Sequence, residues 1–356
     1  MAKIILADST GRYDGRALET RALGGTESSV ILTARGLAKR GHDVTVHSNC
    51  EAELVDEGVR WRPLDAKPDQ TCDAYIAIQQ PELLGFVPRP KRRVIWVLWG
   101  ANQLRHYKRL WRMWLHPPKP ILMSLYQQRD YWPVLPGRGD ISLIHLALPD
   151  AVRGHPPLAA PPPRRAIFAS NPQRNLRGLV EIWGERILPE VPDAVLDVYG
   201  IHNLKPGQEA WDVWAGTLLP PDASEALKAS VRVHMPAQKP ELIAAMRGAR
   251  AMLYLGHKAE AFCLSLAEAQ ALGTPAVIAP VAAIPERVID GVTGFHRADP
   301  AGFAEAAIQL LTDDDLWRRQ HLAALALQQG FSVDDYVTRF EAAILGRPHG
   351  DIASAA

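Results

Sequence analysis

The chain has 356 residues, and 47% of them are apolar, a size and composition that favour a packed globular protein of two ordinary domains. Its net charge of +1 excludes a wholesale nucleic-acid binder. No apolar run is long enough to span a bilayer, and Met1–Asp8 lacks the apolar core of a signal peptide.

Lys3–Asp8 reads as the first strand, followed by a loop through Gly11, Gly15 and Gly24-Gly25. A helix is expected from Thr26, as its N-cap, to Gly41, with a second strand over 43–47. No Gly-x-Gly-x-x-Gly joins strand to helix, which counts against a dinucleotide oxidoreductase. Gly24 and Gly25 still suit a backbone that approaches a phosphate, the alternative being an ordinary flexible loop. Cys50, Cys72 and Cys263 are scattered, without metal-ligand spacing. They suit a reducing compartment, so the expected location is cytoplasmic, and no metal or cofactor is expected.

Further strands are predicted at 59–64, 73–79, 93–98, 121–125 and 141–148, alternating with helices as in a parallel sheet covered on both faces. Between Leu83 and Arg129 there is no acidic residue, against ten lysines and arginines. A helix predicted over 102–115 carries Arg105, Lys108, Arg109 and Arg112 beside Leu104, Tyr107, Leu110, Trp111, Trp114 and Leu115. Such a basic, tryptophan-rich helix suits an anionic bilayer or an anionic acceptor, so peripheral membrane contact through 91–116 is one reading. A core-packed helix with a solvated basic face is the other.

Six of the fifteen residues from Pro149 to Pro163 are proline, which marks a linker. The α/β alternation then restarts with a strand at 165–169, so domain one is expected to end near 150 and domain two to begin at 151. A strand at 194–200 ends in Gly200, where a nucleotide has room to approach, and another strand is expected at 231–235. A helix over 240–250 leads to a strand at 251–256, an apolar helix at 262–272 stopped by Gly273, and a strand at 275–278. In a parallel α/β unit the loop after such a strand faces a ligand crevice. N–H groups around Phe262, Cys263, Leu264 and Ser265 at the helix start favour a phosphate there. Glu260 and Glu268 flank that start, roughly 12 Å apart if the segment is helical, and suit the hydroxyls at the two ends of a sugar nucleotide. The spacing alone is weak, because Glu19 and Glu27 repeat it.

Taken with Glu286 and Gly291-Val-Thr-Gly294-Phe downstream, this stretch resembles the GT-B glycosyltransferases, in particular the large retaining family 4 (glycosyl transferases group 1). The resemblance implies two Rossmann-like domains with parallel sheets facing a central cleft. It also implies a last helix that returns to the N-terminal domain, so that 1–150 is joined by 333–356 and 151–332 forms the donor domain. His349–Ala356 is expected to be loose.

The family's pattern then suggests roles residue by residue. Gly24 and Gly25 would lie against the donor diphosphate and the acceptor. Arg177-Gly178 looks like the family's lysine-glycine diphosphate clamp, with Arg174 or Asn171 near the place of an earlier arginine. An arginine fork suits phosphate oxygens. His234 and Met235 would lie against the base. Glu260 would hold the transferred sugar and Glu268 the ribose, with the anion site supplied by Phe262, Cys263 and Leu264. Three departures stand out. Cys263 and Ala282-Ala283 occupy places where the family favours glycine. The position after strand 93–98, where a histidine is common, is Trp99-Gly100, and the nearest histidine is His106.

The implied activity is metal-independent transfer of a sugar from a nucleoside-diphosphate donor to an acceptor hydroxyl of a sugar, glycan, lipid or small molecule, with retention. A sugar-nucleotide 2-epimerase of the same fold and a non-catalytic nucleotide-sugar-binding protein are the alternatives. A GT-A transferase is disfavoured, because Asp313-Asp314-Asp315 comes too late in the chain for its metal motif.

Overall fold

The computed structural model describes residues 1–20, 23–200, 218–219, 222–327 and 331–347, without the side chains of Tyr107 and Lys108. The chain divides into two compact units, Met1–Ala147 with Phe331–Ala356, and Leu148–Gly330. The segment His349–Ala356 lies outside the described residues.

The first unit is built on β1 (Lys3–Ala7), β2 (Asp43–Ser48), β3 (Leu54–Asp56), β4 (Val59–Pro63), β5 (Thr71–Ile78), β6 (Arg89–Trp96), β7 (Lys119–Leu122) and β8 (Ser142–Leu143). Their order is β3-β4-β2-β1-β5-β6-β7-β8, parallel except for the β3–β4 pair. Ile4 to Ala7 and Ala74 to Ile78 are fully buried, as strands covered on both faces must be. Helix Gly25–Lys39 buries Val30, Ile31, Ala34 and Leu37. Helix Val333–Leu345 packs against it closely enough that a Cβ on Gly36 would meet Val337 Cγ2 at 2.4 Å. Thr33 Oγ1 also donates to Tyr336 Oη at 3.3 Å, and Trp96 meets Phe340 edge-on at 4.9 Å. The C-terminal helix is therefore part of the first unit's core.

The second unit contains β9 (Arg165–Ala169), β10 (Val195–Tyr199), β11 (Val231–Val233), β12 (Ala251–Tyr254), β13 (Ala276–Ile278) and β14 (Gly294–His296). All neighbouring pairs are parallel, in the order β11-β10-β9-β12-β13-β14. This is the 3-2-1-4-5-6 order of a doubly wound sheet, which reverses direction between β9 and β12 and opens a ligand crevice at their carboxyl ends.

Several local expectations need correction. Thr26 is not the N-cap: Gly24 holds that place and the helix begins at Gly25. The predicted strand 141–148 shrinks to Ser142–Leu143, because it is the sheet's edge and only Ile121 and Leu122 remain to pair with it. The helix expected over 102–115 is broken at His106, whose extended backbone separates a 3-10 turn at Ala101–Arg105 from helix Tyr107–Leu115. The helix expected at 262–272 starts later, at Leu264, and ends at Ala271. β3 and β14 are short strands not predicted from the sequence.

The proline-rich segment is strapped to the second unit. Arg250 Nε donates to the Pro162 carbonyl at 2.8 Å, Arg247 Nη2 to Pro156 at 3.1 Å and Arg318 Nη1 to Ala159 at 3.3 Å. Prolines cannot donate to a ladder, so here arginines supply donors to the carbonyls of the strap.

Candidate functional site

Two chain turns meet at the switch point of the second sheet. After β9, Asn171 Oδ1 accepts from the Gln173 amide at 2.9 Å, and the Arg174 amide donates to the Asn171 carbonyl at 2.8 Å. Asn171 thus folds the chain into an Asx turn. Asn175 then takes a left-handed conformation (φ 65°) that starts helix Leu176–Ile182. After β12, the chain passes Gly256 and His257 to Glu260. Cys263, also left-handed at φ 64°, precedes helix Leu264–Ala271.

Arg174 and Glu260 come together here. Arg174 Nε lies 3.0 Å from Glu260 Oε1, and the same oxygen accepts from Tyr254 Oη at 2.6 Å. Tyr254 Oη also lies 3.2 Å from Ser170 Oγ, and Arg174 Nη1 reaches His257 Nδ1 at 3.4 Å. Glu260 is buried, and a buried carboxylate needs such partners to stay in place. Burial, first of all, raises the Tyr254 hydroxyl pKa well above its ordinary value, so it remains a donor.

Glu268, one turn further into the helix, is also buried, and its Oε1 accepts from Lys239 Nζ at 2.7 Å. Lys239 opens helix Lys239–Arg247. The second carboxylate thus belongs to a different cluster from the first. Towards β11, His234 Nε2 lies 2.7 Å from Asp197 Oδ1, and its ring stacks flat on Tyr199 at 4.3 Å, with Met235 exposed beside it. Gly200 has φ 134°, and a Cβ there would fall 1.9 Å from the Ser170 carbonyl oxygen. Only glycine allows this close approach of the β9 and β10 ends.

At the helix start, Phe262 is buried beneath the guanidinium of Arg287, which lies 4.3 Å from the ring centroid. Its side chain packs, and any ligand contact from this residue must come from the backbone. Burial pushes the Cys263 thiol pKa up to about 12, so it is a neutral packing group and not a nucleophile. The first-turn amides of Leu264 and Ser265 lack intrahelical acceptors by geometry. Ala282 shares with Cys263 a positive φ, 53°. Of the positions where glycine was expected from the resemblance, Cys263 and Ala282 are therefore left-handed in the backbone, whereas Ala283 is right-handed at φ −83°.

Arg177 is exposed on the helix surface, with Nε 3.2 Å from Glu181 Oε1. In the first unit, Gly24 caps helix Gly25–Lys39, and the Glu27 carboxylate folds back to within 2.6 Å of where a Gly24 Cβ would stand. His106 is exposed between its two helical turns. Sequence reasoning missed Tyr254, Ser170, His257, Lys239 and Arg287. Tyr254 and Ser170, at the carboxyl ends of adjacent strands, carried the one usable signal.

Residues 190–325 match the family model of glycosyl transferases group 1. Over 119 residues the chain is 35% identical to the D-inositol 3-phosphate glycosyltransferase of Nocardia farcinica, a match covering 32% of this chain and 26% of that protein. The chain thus spans about a quarter of that relative's length. Sucrose-phosphate synthase from Thermosynechococcus elongatus superposes with a TM-score of 0.72 at 14% identity, covering 96% of this chain and 98% of that one. Anabaena HepE, solved in complex with UDP-glucose, gives 0.71 at 15% identity, covering 96% and 100%. The chain has the GT-B fold, and its second unit carries the glycosyl transferases group 1 signature.

Proposed function

We propose that this protein is a retaining glycosyltransferase that moves a sugar from a nucleoside-diphosphate donor to an acceptor hydroxyl without a metal. The observation that carries the reading is the Arg174–Glu260–Tyr254 cluster at the switch point of the second sheet, beside the start of helix Leu264–Ala271. Binding of UDP-glucose by the structurally similar HepE supports a nucleotide-sugar donor.

In this mechanism the anomeric C–O bond to the β-phosphate breaks and negative charge gathers on the diphosphate. Arg174 and the Leu264 and Ser265 amides offset that charge, aided by the positive end of the helix dipole. A phosphate oxygen accepts the acceptor's hydroxyl proton as the new C–O bond forms on the same face, which preserves the anomeric configuration. Glu260, held rigid by Tyr254 and Arg174, accepts hydrogen bonds from the sugar's hydroxyls. Glu268 takes the ribose hydroxyls, which compete there with Lys239. His234, stacked on Tyr199, borders the base. Arg177 has a lesser part, because Glu181 occupies its guanidinium. Incubation with UDP-, GDP- and ADP-glucose and a panel of acceptors, read by the anomeric proton signals, tests the reading. It predicts an α-linked product that survives EDTA. A donor sugar epimerised without acceptor would favour the epimerase, and neither transfer nor donor hydrolysis would leave a binding protein.

We further propose peripheral contact with an anionic, cytoplasm-facing membrane surface. Trp111, Trp114 and Leu115 are 52%, 58% and 60% exposed on helix Tyr107–Leu115, while Met113 is buried in the first unit's core. Beside this face Arg105 is exposed and paired with Asp130, while Arg109 and Arg112 are half-buried, Arg112 lying over the Trp111 ring. Exposed aromatic side chains beside basic ones match an acidic lipid surface. No helix among the described residues is long and apolar enough to cross the bilayer.

A further inference from the structure

Arg287 is fully buried at the end of the 3-10 turn Ile284–Arg287. Its Nε has no hydrogen-bond partner among the described residues, and its nearest carboxylate, Glu286 Oε2, stands 3.6 Å from Nη2, too far for a hydrogen bond. Burial lowers its pKa to about 10, with Glu286 and Cys263 acting in the opposite direction, so it stays charged at neutral pH. A buried cation so loosely compensated is a poor choice for stability, since an apolar side chain of similar volume commonly serves the fold as well or better. Its location is more informative. The guanidinium covers the face of Phe262, next to Cys263, the residue that caps helix Leu264–Ala271. A charge buried there is little screened by solvent.

We propose that Arg287 is a positioning residue that clamps the Phe262–Cys263 turn and sets a fixed positive charge behind the anion-binding start of helix Leu264–Ala271, tightening its hold on a diphosphate. This rests on the nucleoside-diphosphate reading above. It assigns Arg287 no contact with the ligand: the residue acts through the turn it covers and through its field. The charge serves the diphosphate and not the nucleoside, which separates its effect from that of Glu268.

The test is calorimetric binding of UDP, GDP and ADP, each beside its own nucleoside, to wild type, Arg287→Met, Arg287→Gln and Arg287→Lys, with the melting temperature of each protein. Arg287→Met and Arg287→Gln are expected to lose about tenfold in diphosphate affinity, keep nucleoside affinity, and melt no lower than wild type. Arg287→Lys keeps the charge but loses the planar group stacked on Phe262, so its diphosphate affinity is expected to fall between wild type and the uncharged variants. Unchanged diphosphate affinity in the uncharged variants overturns the inference. So does an equal loss for nucleoside and diphosphate with a lowered melting temperature, which marks a structural residue. If wild type binds none of the three diphosphates, the proposed function fails and this inference with it.

Discussion

The Nε of Arg174 lies 3.0 Å from Oε1 of Glu260. These residues are 86 positions apart in the chain, yet each follows a strand on one side of the sheet's reversal. The pair couples the group proposed to hold the leaving phosphate to the group proposed to hold the sugar. Loss of Arg174 should therefore also loosen Glu260, whose carboxylate keeps only Tyr254 as a partner among the described residues.

Glu260→Ala is expected to lower turnover about a hundredfold, the cost typical of a misplaced reacting group, while nucleotide affinity stays within about threefold. Glu268→Ala is expected to do the opposite, weakening nucleotide binding about tenfold through loss of a charged hydrogen-bond acceptor with a smaller effect on turnover. Steady-state kinetics and calorimetry on the two variants check this split. Normal activity in both would refute the assignment of the two carboxylates.

Ala282 holds a left-handed backbone at φ 53° and is only partly buried. Ala282→Gly should relieve the steric cost of that conformation, partly offset by the greater freedom of glycine in the unfolded chain. The expected gain is about 0.5–1 kcal/mol, measurable as a shift in the urea midpoint. Cys263→Gly is the less clean comparison, because it also empties a packed site.

His321 Nδ1 donates to the Gly273 carbonyl at 2.6 Å, which makes Nε2 the acceptor for the Leu158 amide at 3.0 Å. Burial, the largest cause, lowers its pKa. In the unfolded chain the imidazole titrates near pH ~6.5, so below that value the unfolded state binds the extra proton first. Stability is therefore fully present above ~6.5 and falls as pH drops towards the folded pKa, with a slope of at most about 1.4 kcal/mol per unit from this residue. His47 and His116 shift the same way by burial, so the informative quantity is the difference between wild type and His321→Gln. That difference should shrink from pH 7.5 to 5.5, and a constant difference would contradict the lowered pKa of the folded-state imidazole.

Sedimentation with liposomes containing acidic phospholipid should recover the protein at low salt and less of it at high salt. Replacing both Trp111 and Trp114 by Ser should abolish recovery without lowering the melting temperature, since both are exposed. Equal recovery on neutral liposomes would remove the electrostatic part of the reading.

Much of the second unit was legible because strands buried on both faces are nearly continuous apolar runs. Ala251–Tyr254 and Ala276–Ile278 stand out for that reason, with Gly273 stopping the helix between them. At Gly273 the left-handed φ of 79° is the helix-ending conformation that its sequence position implied. The edge strand at 142–143 was over-read because apolar residues continue to Leu148, and hydrophobicity does not reveal how few partner residues the neighbouring strand offers. Thr26 has the chemistry of a cap, but the register of the helix start is set by Gly24. Lys239 and Arg287 were invisible for a different reason. Each matters through a neighbour that only the strand order brings near, and no local pattern encodes that proximity.

Titration calorimetry of UDP, GDP and ADP into wild type, Arg174→Ala and Glu268→Ala tests the central claim most directly. The account predicts that one of the three nucleotides binds wild type and that each substitution weakens it by about tenfold or more. No binding by any of the three, or binding indifferent to both substitutions, would contradict a nucleoside-diphosphate site at the β9–β12 switch point.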